Sequence, residues 1–133
     1  MDFVRVKGNT TASHILGERD FYGDVEYVKV ETMAFQEIGV IPDLMKINVE
    51  GHEKTVVASI DYHDWEKMDT FVEIHDHENS MAIFSCFSGT DINIFSQKVG
   101  WRKVEDREDM PAHNKEGYIF ISKKEQMPWQ SNI

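Results

Sequence analysis

Acidic and imidazole side chains concentrate in two short runs, Glu50, His52 and Glu53 within VEGHE, and Glu73, His75, Asp76 and His77 within VEIHDH. A histidine in such company is suited to taking a proton from a hydroxyl, because imidazole changes charge near neutral pH and a neighbouring carboxylate can orient the ring. Glu50 and His75 are the foremost candidates, with His52 and Glu73 beside them. The same side chains would suit zinc or manganese. His75-x-His77 is, however, a spacing that recurs by chance, and no metal is expected. Against any catalytic role stands the plainer reading that these groups are solvated, with Glu50 and Glu53 lying at the positive end of a following helix.

The elements that must position them can be read from the apolar pattern. Leu44, Met45, Ile47 and Val49 predict a buried strand over 44–49, ended by the polar turn Glu50-Gly51-His52-Glu53. Val56, Val57 and Ile60 then fall at helical spacing, so a helix is expected from Glu53 to Asp64. A second strand follows over Thr70–Ile74. Strand, helix and strand within about thirty residues make a right-handed βαβ unit with parallel strands. Both polar runs then end neighbouring strands about 5 Å apart, where ligands bind in open α/β sheets.

Elsewhere FVRV at 3–6 and the stretch marked by Val25, Tyr27, Val28 and Val30 predict two more strands, with Gly17 and Gly23 bracketing a weakly structured stretch between them. Met33, Phe35 and Ile38 suggest a short helix stopped by Gly39. Asn79 is expected to cap a helix carrying Met81, Ile83, Phe84 and Phe87 and ending at Gly89. The last third predicts two strands, in INIFSQKVGWRKVEDRE and GYIFISKKE, joined by an acidic loop. Cys86 is expected in the core, Trp65 and Trp101 in core or rim, and the tail from Met127 loose unless Trp129 docks. His14, with Ser13 and Thr10, is placed in a polar loop that could touch substrate.

With 133 residues the chain makes one domain, able to remove roughly two-thirds of its unfolded surface from water. A net charge of −10 disfavours nucleic acid and anionic membrane as partners. A single cysteine and the lack of a signal-like start or an apolar run near the ~20 residues of a membrane span indicate a cytoplasmic protein.

PDLMKINVEGHE at 42–53 and TFVEIHD at 70–76 resemble, in order, the two motifs of the FkbM family of S-adenosylmethionine-dependent methyltransferases, whose usual pattern is close to KIDVEGxE followed by a strand ending in E-I/L-H. VKVETMAF resembles the segment preceding the first motif, and NIFSQKVGWRKVE with GYIFISK resembles the closing strands. The resemblance implies an α/β, Rossmann-like class I methyltransferase fold, here its C-terminal half only, with a mixed sheet whose last strand is antiparallel. Residues 1–126 would form this single domain without the N-terminal cofactor-binding half, and 127–133 a tail. It implies methyl transfer from S-adenosylmethionine to a hydroxyl of a sugar or secondary metabolite, with Glu50, His52, Glu73 and His75 on the acceptor side and Asn48 and Glu50 on the cofactor side. Two departures stand out. Asn48 occupies a position where the family has Asp, and the eight glycines are single and scattered, so no glycine-rich nucleotide turn is present.

Two further readings follow from those departures: a non-catalytic module that binds or completes another polypeptide, and a small metal- or ligand-binding protein using the Glu/His corner. The resemblance also makes the strand at 44–49 interior in the full sheet, so its far edge needs a cover. Either the strands at 3–6 and 25–30 fold over it, or a second copy pairs with it in a two-fold homodimer, the arrangement preferred here because those strands are short and one is strongly charged.

Overall fold

A computed structural model describes residues 1–17 and 23–129 and has an α/β architecture with two sheets. β1 (Asp2–Val6), β2 (His14–Ile15) and β3 (Val25–Lys29) form a small antiparallel sheet in the order β2-β1-β3. The larger sheet is built from β4 (Leu44–Ile47), β5 (Asp69–Glu73), β6 (Asn93–Ser96), β7 (Arg102–Lys103) and β8 (Tyr118–Ser122), in the order β4-β5-β8-β6-β7. β4 and β5 are parallel, with Met45 opposite Thr70 and Ile47 opposite Val72. β8 runs antiparallel to both β5 and β6, so the last strand is inserted in reverse between two strands of one direction.

Alternation fixes the two faces of this sheet. Ile47, Val72, Ile94, Ile119 and Ile121 point to one side, where α1 (Glu53–Ser59) and α3 (His77–Phe87) supply Val57, Ile83 and Phe87. Phe71, Phe95 and Phe120 point to the other. β8 is apolar on both faces, as a central strand must be, and Ile119, Phe120 and Ile121 are at most 1% exposed.

Several expectations need correction. The strand at 44–49 is shorter and less buried than its composition suggests: within β4 only Ile47 is buried, and Leu44 is 59% exposed, because β4 is the last strand on its side of the sheet. The N-terminal strands do not fold over its edge; they pair among themselves. The helix expected over 53–64 breaks at Ile60 and Asp61, which are extended, and resumes as α2 (Tyr62–Trp65). The break turns both Ile60 and Trp65 into the core, which a continuous helix would not. Asn79 does not cap α3: Asp76 does, its Oδ1 accepting the Asn79 N–H at 2.8 Å. Asn79 is thereby left inside the first turn, facing α1.

Cys86 lies on the exposed side of α3, and the partial burial that remains pushes its thiol pKa up. His14 sits in β2, 2% exposed, with Nδ1 2.8 Å from the Ala12 carbonyl, so it is packed and not presented in a loop. The tail is anchored as far as it is described. Met127 is 2% exposed among Phe95 and Phe120, and Trp129 stacks on Phe71 at 5.2 Å with the rings 15° apart. A short β7, unforeseen from the sequence, pairs with β6 through a turn in which Gly100 and Trp101 both take positive φ. The stretch bracketed by Gly17 and Gly23 falls on residues 18–22, outside the described residues.

Candidate functional site

The turn leaving β4 has an uncommon backbone. Glu50 has φ 52 and Gly51 φ 105, so two successive residues take positive φ, and the first has a side chain. A non-glycine residue in the left-handed region costs roughly 1–2 kcal/mol, and such a residue persists only where its surroundings fix it. Here they do. Asn79, 1% exposed, donates from Nδ2 to the Gly51 carbonyl at 3.0 Å and to Asp76 Oδ2 at 3.0 Å, while its Oδ1 accepts the Lys54 N–H at 2.8 Å. From beneath, Glu53 Oε1 accepts the Gly51 N–H at 2.9 Å. The start of α1 is thus tied to the start of α3 through one amide side chain, and Lys54 and Glu78 add an ion pair on the outside.

This latch sets the direction of Glu50. Its Oε2 lies 3.9 Å from His75 Nδ1, with each side chain about a quarter exposed. That is ion-pair distance, longer than a hydrogen bond. Glu50 and His75 leave the ends of adjacent parallel strands, so the two polar runs do meet. The remaining candidates are arranged around the pair without joining it. His52 is half-buried and opens α1, its carbonyl accepting the N–H groups of Thr55 and Val56. Glu73 ends β5 opposite Tyr118 of β8, on the face away from Val72 and Ile74, and no described contact links it to Glu50 or His75. Asn48 is exposed just past β4.

Glu53 is the residue whose setting composition did not reveal. It reads as a solvated acid at a helix start, yet it is fully buried, with Oε2 lacking any partner. Burial raises its pKa above 4.5, opposed in part by the Gly51 N–H and by His75. No residue type signals this inward turn, which follows from the left-handed backbone at Glu50. Asn79 reads from the sequence only as a cap, and its bridging role has no sequence signal beyond Asp76 three residues earlier, which takes the capping position.

No group of three or more His, Cys, Asp or Glu side chains among the described residues is disposed to hold a metal ion. The eight glycines are single and scattered, so no glycine-rich turn of the kind that cradles the nucleotide portion of S-adenosylmethionine is present in this sequence. Each of them takes positive φ at a turn or a cap. A cleft of about 560 Å³ lies at the opposite, amino ends of β4 and β5, between Leu44, Phe71 and Trp129. Its Lys123 and Lys124 are paired with Glu66 and Asp69, and no imidazole lines it.

No family model, no curated protein and no solved structure matches this chain. No helix among the described residues is long and apolar enough to cross a membrane.

Proposed function

We propose that these residues form the acceptor side of an FkbM-like methyltransferase, which moves a methyl group from S-adenosylmethionine to a hydroxyl of a small molecule or glycan in the cytoplasm. The observation that carries the reading is the strained Glu50 turn, latched by Asn79 and Glu53 so that Glu50 faces His75 at 3.9 Å. The strand order β4-β5-β8-β6, with one reversed strand between parallel ones, supports it, being the order expected of the C-terminal half of that fold.

The chemistry assigned to this chain is a proton transfer. With Glu50 facing Nδ1, the other ring nitrogen of His75 is the one left to meet an acceptor hydroxyl. It takes the hydroxyl proton as the oxygen becomes a nucleophile, and the Glu50 carboxylate stabilises the imidazolium that results. His52 and Glu73 flank the corner and would contact the acceptor's other hydroxyls. Asn48 cannot take the acidic role that the family's aspartate has, and the cofactor is not held by these residues alone. The same two facts favour, as a second reading, a module that completes another polypeptide supplying the cofactor cradle.

Isothermal titration with S-adenosylhomocysteine tests the division of labour. The isolated chain should bind it weakly, with a dissociation constant above about 100 µM. Low-micromolar binding by this chain alone would refute the proposal that its cofactor cradle lies elsewhere.

A further inference from the structure

The outer edge of β4 is unpaired among the described residues, and the chain that leads into it is apolar on the outside. Met33, Ile38, Val40 and Leu44 are each more than half exposed and Ile41 is 37% exposed. This segment is held in place nonetheless. Phe35 packs on the main core, Glu37 returns to accept the Ala34 N–H, and Gln36 donates to the Ser59 carbonyl. Pro42 lies just ahead of β4, but Leu44–Ile47 themselves contain no proline, and a fixed strand edge of this kind is a template for another strand.

We propose that β4 pairs antiparallel with β4 of a second copy, about a two-fold axis through Met45, giving a continuous ten-stranded sheet. Three observations select this occupant and this register. First, residues 38–49, IGVIPDLMKINV, contain one Asp and one Lys, so this stretch is neutral in a chain of net charge −10 and can meet itself without repulsion.

Second, the direction of the free backbone groups is set. The Asp43 carbonyl accepts the Asp69 N–H of the neighbouring segment. Alternate residues point the opposite way, so Leu44 and Lys46 present their N–H and C=O groups outward. Two-fold pairing that continues one sheet face requires the paired residue numbers to sum to an even value. Centring on Lys46 would oppose two like charges. Centring on Met45 sets Leu44 against the partner's Lys46 as a doubly hydrogen-bonded pair, and does so twice.

Third, the same register brings Ile41 alongside the partner's Val49 and Val40 alongside the partner's Glu50. Exposed apolar residues of one copy then lie beside the Glu50–His75 corner of the other. The pairing stands on the edge alone; only its consequence for the corner rests on reading that corner as the acceptor site.

Light scattering on the eluting protein should give twice 15.5 kDa at high micromolar concentration. Lys46→Pro removes an outward N–H while sparing the bonds of Met45 and Ile47 to β5, as edge strands allow. It should raise the dimer dissociation constant at least about tenfold, with an unchanged circular dichroism spectrum. Met45→Cys in a Cys86→Ser background should oxidise to a covalent dimer, because directly opposed non-hydrogen-bonded residues fall within disulfide reach. Leu44→Cys in that background should not. A strict monomer, a dimer indifferent to Lys46→Pro, or cross-linking at Leu44→Cys equal to that at Met45→Cys would each overturn the proposal. None of these readouts depends on activity, so failure here is distinct from failure of the methyl-transfer reading.

Discussion

Replacing Asn79 by alanine should destabilise the fold by far more than the loss of one polar side chain suggests. The amide makes three side-chain hydrogen bonds, two of them to backbone groups of the Glu50–Lys54 segment. Alanine leaves the Gly51 carbonyl and the Lys54 N–H without partners in a place where Gly51 and Glu53 are buried. Each unsatisfied buried group costs roughly 1–3 kcal/mol. Some relief comes if water enters beside the part-buried Lys54 N–H, so the expected total is about 2–4 kcal/mol, a large fraction of the 5–15 kcal/mol typical of a whole domain. Urea denaturation followed by circular dichroism reads this as a lowered midpoint at unchanged slope. Asn79→Asp separates donor from acceptor. It keeps an acceptor for the Lys54 N–H, loses the donor to Gly51 and sets a carboxylate beside Asp76, so it should also destabilise, and less so as pH falls. A change within about 0.5 kcal/mol for Asn79→Ala, the range of ordinary surface substitutions, would refute the reasoning that one amide holds the strained turn.

Glu53→Gln should alter the pH dependence of stability. Burial raises the Glu53 pKa in the folded state above its ordinary 4.5, so the folded chain holds this proton more tightly than the unfolded one, and this residue's ionisation removes stability as pH rises from about 4.5 through the folded value. Glutamine keeps an oxygen for the Gly51 N–H and has nothing to ionise. Urea midpoints from acid to neutral pH should therefore fall less for the variant than for the natural chain, and parallel curves would contradict the assignment. Trp129→Ala should lower stability by about 1–2 kcal/mol, because the ring stacks on Phe71 and meets Trp101 and Phe120 edge-on; an unchanged thermal midpoint would mean the tail does not dock in solution. Cys86 should be alkylated in the folded protein, more slowly than free cysteine because partial burial disfavours the thiolate; labelling only after denaturation would show that it is shielded.

The parallel pair β4 and β5 and the crossover between them were legible because each depends on local apolar spacing and on turn residues such as Gly51; the reversed direction of β8 came only with the family resemblance, since a continuous apolar run such as YIFIS fixes no direction. Apolar composition alone misled where the partner decided burial. LMKI reads as an interior strand whether or not a neighbour is present, and Leu44 is exposed on a strand that has no neighbour on that side among the described residues. Cys86 failed for a similar reason: α3 is apolar around much of its circumference, and which stripe faces the sheet is settled by Ile83 and Phe87 docking on it. In the candidate site, Glu50 and His75 could be brought together by counting strand ends. The inward turn of Glu53 and the reach of Asn79 across to α1 could not, since both follow from the left-handed backbone at Glu50, which no residue type there announces.

In the proposed function, Glu50 and His75 form the corner that meets a hydroxyl-bearing acceptor. This role is tested most directly by assigned amide and imidazole NMR resonances during titration with hydroxyl-rich acceptors, glycans included, in the presence of S-adenosylhomocysteine. Shifts should concentrate at Glu50, Gly51, His52, His75 and Asp76, saturate with the acceptor, and vanish in His75→Ala while the fold is retained. Saturable shifts confined to the cleft around Leu44, Phe71 and Trp129, with the Glu50–His75 corner silent, would contradict it.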